Sequence, residues 1–208
     1  MMNFIVKEFT KTSMLIALIL NLSVVANAAQ SEENLITMVS EKDATGEVKK
    51  TYDEIRNAFG MVPNAMKHQS ISPDILKNSW EYVKLETSNK NFSPKLNAMI
   101  RMLVGEQKSC HYCVGVNEGM ILNMFKVSLA EVNAIKKDAS KASLNKKDKA
   151  MLLFVLKATK NPKSTTKSDI DNLKKLGWAE KDIFEGVKLG ATIISFTITL
   201  DTFKVSRD

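Results

Sequence analysis

The chain has only two cysteines, Cys110 and Cys113, held at C-x-x-C spacing inside the run Gly105-Glu106-Gln107-Lys108-Ser109-Cys110-His111-Tyr112-Cys113-Val114-Gly115-Val116-Asn117-Glu118. A pair so spaced on a helical turn can close and reopen a disulfide, which is two-electron chemistry carried by sulfur alone. The flanks predict how it is presented. Gly105 reads as a break and Ser109 as an N-cap, after which Cys110 to Phe125 runs as a helix. Cys110 then takes the first helical position and Cys113 lies one turn on, where unpaired backbone N–H groups favour a thiolate. A lone pair in an oxidising compartment is often a structural bridge. Yet a loop this short contributes little entropic stabilisation. Redox use and a static bridge both remain open, and redox use needs a path to the sulfurs.

The elements that must position this stretch read as helices throughout. Thr45-Gly46-Glu47 opens one through Ala58, with Gly60 as C-cap and Pro63 as stop. A short helix is predicted over residues 65–69. Ser72-Pro73-Asp74 and Ser93-Pro94-Lys95 are two further starts, the second leading into the cysteine helix, which is expected to bury Val114, Val116, Ile121, Leu122 and Phe125. Ser128-Leu129-Ala130-Glu131 has capping-box spacing and begins a helix to about Lys137. Asn145 caps the next, Asn161-Pro162 stops it, and another runs from Ser168 to Leu176 before Gly177. The last segment, Ala191 to Leu200, is rich in β-branched residues. However, Ile183, Val187, Ala191, Ile194, Ile198 and Asp201 repeat at a spacing of 3–4, so it is read as a helix buried in the core or between subunits. The fold class is therefore all-α. An internal echo at an offset of about fifty residues pairs residues 93–100 with 145–152 and residues 127–132 with 178–183; a duplicated helical unit and chance both account for it.

The 208 residues suffice for one substantial core. Lys7 and Lys11, an apolar run from Met14 and the small-residue site Ala26-Asn27-Ala28 give the order of a cleavable signal peptide over residues 1–28, with an uncleaved anchor as the alternative. Residues 29–44 read as a loose or docking arm before a helical domain over 45–208. The expected address is periplasmic or secreted. Loss of Lys7, Lys11 and Glu8 lowers the formal charge from +7 to +6. The lysines are interleaved with acids and lack interspersed aromatics, so solvated faces rather than a nucleic-acid surface are expected. Two histidines, two cysteines and no clustered carboxylates point away from a metal site, and no cofactor is implied.

Gly60-Met61-Val62-Pro63-Asn64, Ser72-Pro73-Asp74-Ile75-Leu76 and Cys110-His111-Tyr112-Cys113-Val114 resemble the carboxymuconolactone decarboxylase and alkylhydroperoxidase D (AhpD) superfamily. Lys126-Val127-Ser128 and Leu176-Gly177-Trp178 with Asp182-Ile183 extend the resemblance over most of the chain from about residue 45. It implies an AhpD-like helical array, homo-oligomers, and thiol-dependent peroxidase or disulfide chemistry on a hydroperoxide or thiol substrate, with the electron donor unknown. By resemblance Cys113 is the attacking thiolate and Cys110 its resolving partner. The family's pattern also has a Glu twelve residues before the first Cys and a His four after the second. Here Ala98 and Asn117 stand at those places, so that proton relay is absent.

Local groups are candidates to replace it. His111, between the cysteines, favours a thiolate when protonated or simply faces solvent. Glu106 aligns with both cysteines only if the helix is continuous, which a break at Ser109 prevents. Asn117 bonds a sulfur, a substrate or the backbone. Tyr112 is expected as a half-buried aromatic lining the pocket, and His68 as an ordinary loop or helix-end residue. Three functions compete: an exported AhpD-like thiol–disulfide oxidoreductase, a non-catalytic helical scaffold with a static bridge, and a cofactor-free decarboxylase.

Overall fold

The structure is a computed structural model describing residues 34–208. The leader-like segment over residues 1–28 lies outside the described residues. Nine α-helices follow among those described: α1 (Gly46–Phe59), α2 (Asn64–Lys67), α3 (Pro73–Ser88), α4 (Pro94–Gln107), α5 (His111–Asn123), α6 (Leu129–Lys137), α7 (Lys146–Lys160), α8 (Lys167–Lys175) and α9 (Glu180–Thr202). No strand occurs among the described residues, so the domain is all-α.

Local chemistry sets most of the boundaries. Gly60 ends α1 at φ 80°, and Gly177 follows α8 at φ 86°, both in the left-handed region that glycine enters without steric cost. Ser93, Ser128 and Asn145 cap α4, α6 and α7 by accepting from the third N–H of each helix. Thr166 and Asp169 close a reciprocal box on α8, which begins one residue earlier than its sequence suggests. The short helix expected over 65–69 is instead α2, followed by a 3₁₀ turn to Ile71.

The main core gathers α4, α5, α7 and α9 around Met99, Ile100, Met151, Leu152 and Trp178. A second cluster joins α1 and α3 through Tyr52, Ile55, Leu76 and Trp80. The α9 helix serves both: Ile193 packs on the main core and Phe196 on the second. The β-branched segment 191–200 is thus helical, because tertiary packing overrides its strand propensity. Its buried face keeps part of the expected stripe, since Ile183 is buried and Val187 and Ile194 pack on the main core, and departs from the rest. Gly186, Leu189, Gly190 and Thr197 point inward, whereas Ala191, Ile198 and Asp201 are exposed. Glycine at 190 is what lets α9 close on α7, since a Cβ there would lie 2.7 Å from Thr159 Cγ2 and 2.9 Å from Val155 Cγ1.

The echoed segments coincide with helix starts, α4 with α7 and α6 with α9. The first two are bonded to each other. The Ser93 hydroxyl, which accepts from Leu96 N–H, donates to Asp148 Oδ2 at 2.9 Å, and Asp148 N–H is itself capped by Asn145. Burial opposes the charge on Asp182 at the α9 start. The amides of Asn91 and Asn89 and the Ala179 N–H outweigh it and hold its carboxyl below the usual range.

Candidate active site

Helix α4 runs through Gly105 and ends at Gln107, and a three-residue turn carries the chain into α5. The break therefore falls at Lys108-Ser109 and not at Gly105. Ser109 is not the cap either: it sits at φ 57°, a left-handed conformation that costs a non-glycine residue about 1 kcal/mol or more. That turn releases the backbone so that Cys110 takes the N-cap position, one residue outside the helix. The Cys110 sulfur fills the role usually played by a hydroxyl or carboxylate, accepting from Cys113 N–H at 3.1 Å. The helix stops at Asn123 rather than Phe125, with Lys126 at φ 53° turning the chain away.

Cys110 and Cys113 are joined as a disulfide with Cα atoms 5.3 Å apart, within ordinary bridging range. Gly105 lies directly beneath. A Cβ there would fall 2.9 Å from Cys113 Cβ and 3.4 Å from Val114 N, so the α4–α5 approach at the pair depends on a missing side chain. Gly105→Ala is expected to cost about 1–3 kcal/mol and to displace the cysteine turn; a urea midpoint and the rate of disulfide reduction by a soluble phosphine would both shift.

The cysteine pair is largely covered. Cys110 is 0% and Cys113 6% exposed, buried with Tyr112, Leu200 and Val205, and with Met38, Ala65, Phe196 and Phe203 packed alongside. The access that redox use requires is thus narrow in this conformation and lies on the Cys113 side. Thr197 on α9 places its hydroxyl 3.7 Å from Cys113 Sγ while also bonding the Ile193 carbonyl at 2.9 Å. Sequence reasoning missed Thr197; its signal was a hydroxyl on the inner face of an apolar helix.

The six candidate residues divide into two groups. Cys110, Cys113, Tyr112 and Asn117 lie inside. Asn117 is buried and donates from Nδ2 to the Cys113 carbonyl at 2.8 Å, fixing backbone rather than carrying a proton. Tyr112 is buried rather than half-buried; it donates to Asp208 Oδ2 at 2.6 Å and accepts from Ala65 N–H at 3.0 Å. Burial, then the neighbouring Asp208 carboxylate, raises its phenol above the ordinary value. Glu106 and His111 are exposed and line an outer cleft of about 340 Å³ with Gly115, Glu118, Lys136 and Arg207. Val116, expected in the core, is 41% exposed. Ala98 is buried and brings no proton-carrying group to its position. Among the described residues, no group of three or more His, Cys, Asp or Glu is placed to hold a metal ion.

His68 departs from its expected role as an ordinary loop or helix-end residue. It is 3% exposed, its Nε2 lies 3.1 Å from Thr199 Oγ1, and its ring meets the edge of Phe196 beside the cysteine cluster. Burial lowers its pKa below 6.5, opposed by the Asn64 and Ala65 carbonyls. The folded chain resists protonation that the unfolded chain accepts, so this contribution to stability is complete above 6.5 and is lost as pH falls from there towards the folded pKa. The urea midpoint is expected to drop on acidification through this window, and His68→Gln to flatten the drop.

No family model matches the chain, and no curated protein matches it. Its fold does have solved counterparts. An uncharacterized peroxidase-related protein from Ralstonia eutropha JMP134, described as an alkylhydroperoxidase AhpD core, superposes with a TM-score of 0.72 at 19% identity, over 84% of this chain and 92% of that one. A peroxidase-related protein from Silicibacter sp. TM1040 gives 0.71 at 18%, over 85% and 93%. The debrominase Bmp8, as a cysteine-to-alanine variant in complex with 2,3,4-tribromopyrrole, gives 0.69 at 18%, over 86% and 94%. At these identities the likeness is one of fold: the chain has the AhpD-like all-helical architecture.

Proposed function

We propose that the chain is a divergent AhpD-like thiol–disulfide oxidoreductase whose working group is the Cys110–Cys113 pair. One observation carries this reading. The pair is joined at the first turn of α5, with the Cys110 sulfur held by the Cys113 N–H, in a fold shared with peroxidase-related proteins. Such a position supports a thiolate at Cys110 on reduction, because the helix start presents the Cys113 N–H to that sulfur; the attacking role of Cys113 comes from the resemblance. Toward a hydroperoxide, the Cys113 thiolate attacks the outer oxygen and the O–O bond breaks, giving an alcohol and a Cys113 sulfenic acid. The Cys110 thiolate then attacks Cys113 Sγ, the S–O bond breaks and the hydroxyl leaves as water with a proton from solvent; the disulfide is restored and two electrons have passed from the dithiol to the peroxide. The same pair, oxidised, accepts two electrons from a dithiol. The leader-like residues 1–28 support a periplasmic or secreted address, where a thiol donor of that compartment closes the cycle. The exposed Phe184 and Ile198 on α9 support self-association, which sedimentation tests.

The second reading is a helical scaffold with a static bridge, favoured by the buried sulfurs and by Ala98 and Asn117 in place of an acid and a base. Equilibration of the purified domain in thiol–disulfide buffers, followed by alkylation of free thiols, separates the two. A potential between about −120 and −270 mV supports the oxidoreductase. A value below about −300 mV, with no peroxide consumed, leaves the scaffold.

A further inference from the structure

The cover over the disulfide is the chain's own segment 203–208: the N–H groups of Phe203, Lys204 and Val205 close the end of α9 on the Thr199, Asp201 and Leu200 carbonyls, while Phe203, Ser206 and Asp208 are also tied to residues outside α9. Leu35 N–H donates to the Phe203 carbonyl at 2.9 Å, and Ser206 N–H donates to Asn34 Oδ1 at 2.9 Å. Asn64 Nδ2 donates to the Ser206 carbonyl at 3.2 Å. The Asp208 carboxylate accepts from Asn64 N–H at 2.8 Å and from Tyr112 OH at 2.6 Å. Between these ties, Val205 is 8% exposed and buried in one cluster with both cysteines. Arg207 lies over Gly115, where a Cβ would come within 2.7 Å of its Nη1, and borders the cleft that holds Glu106 and Glu118. The groove is thus filled by a short polypeptide stretch with an apolar residue against the disulfide, a cation over α5, and an acid on Tyr112.

We propose that this groove is the docking site for an extended segment of a cysteine-bearing polypeptide, its cysteine taking the place of Val205, and that residues 203–208 occupy it as a displaceable latch. The proposal rests on the oxidoreductase reading above and names its substrate class. With the latch displaced, the incoming thiolate attacks Cys113 Sγ. A new S–S bond forms to the substrate, the Cys110–Cys113 bond breaks, and the electron pair leaves on Cys110 Sγ, which the Cys113 N–H already holds. A second substrate thiolate then attacks the substrate sulfur of the mixed disulfide. The substrate leaves as a disulfide, and the chain is left with both cysteines reduced.

The test uses the full chain carrying Cys110→Ser, in which serine keeps the capping acceptor and Cys113 is the single thiol. It is reacted with the peptide Cys-Ser-Arg-Asp, activated as its thionitrobenzoate mixed disulfide, and with the reversed peptide Asp-Arg-Ser-Cys activated in the same way. The matched peptide is expected to release thionitrobenzoate at least about tenfold faster, the factor that one well-made hydrogen bond to a charged group supplies. Adding Asp208→Ala, or Arg207→Ala should that chain fold poorly, removes one of the latch's own holds and raises the matched rate further. Equal rates for the two peptides, or a matched rate unmoved by either latch substitution, overturn the docking site and leave the redox reading standing. A Cys113 that reacts with neither peptide nor a small aromatic disulfide overturns both.

Discussion

Cys113→Ser is expected to abolish hydroperoxide consumption and mixed-disulfide formation while leaving helix content unchanged. The fold does not depend on the bridge: it closes a loop across a sequence separation of only 3, too short for a large stabilisation. The cap survives too, since Cys110 Sγ and Cys113 N–H are untouched. What disappears is the sulfur beside the Thr197 hydroxyl. Cys110→Ser should behave differently. Cys113 still attacks peroxide, but with no partner to expel water the reaction halts after one turnover at the sulfenic acid. Peroxide loss followed over several equivalents, with a sulfenic-acid trap, distinguishes zero turnover from one. Identical behaviour of the two variants would remove the division of labour between the cysteines.

The largest expected loss of stability comes from Trp178→Ala. The indole is 2% exposed and donates to the Lys147 carbonyl at 3.0 Å. Its ring stands 5.1 Å from Phe92, with Lys147 Nζ 4.4 Å from its centroid. Removing so large a buried ring costs about 3–5 kcal/mol, and in a chain of this size that lowers the midpoint temperature on the order of ten degrees. Trp178→Phe keeps most of the volume but leaves the Lys147 carbonyl without its donor, for about 1–3 kcal/mol. Urea unfolding of both variants measures the difference; equal losses would place the whole effect in the hydrogen bond.

Helix starts were the most legible part of the sequence because capping is a local transaction. Ser93, Ser128 and Asn145 each carry their partner three residues on and cap their helices, although Ser128 and Glu131 form only half of the capping box and Ser72 makes no side-chain cap bond. The inner face of α9 was not legible. Hydrophobic spacing singled out Ile183, Val187 and Ile194, which do pack on the main core, but also Ile198, which is exposed, and it missed Gly186 and Gly190, which face inward because bare backbone admits Val155 and Thr159 where no side chain fits. The same limit hid Gly105, whose small size looked like a helix break and is a close contact with Cys113. Of the site, the cysteine pair was visible and its cover was not. The polar run Lys204 to Asp208 has no periodicity, and its ties reach Asn34 and Asn64 far up the chain. Thr197 was concealed likewise, by the fold that brings α9 to α5.

The bond between Ser93 and Asp148 makes the two halves of the chain answer to one another. Fraying the first turn of α4 frees the acid that begins α7, and fraying α7 removes the acceptor of the Ser93 hydroxyl. Amide protons of Leu96 and Asp148 should therefore exchange with deuterium in one cooperative opening, with matched sensitivity to denaturant. Separate protection factors for the two turns would mean that the halves breathe independently.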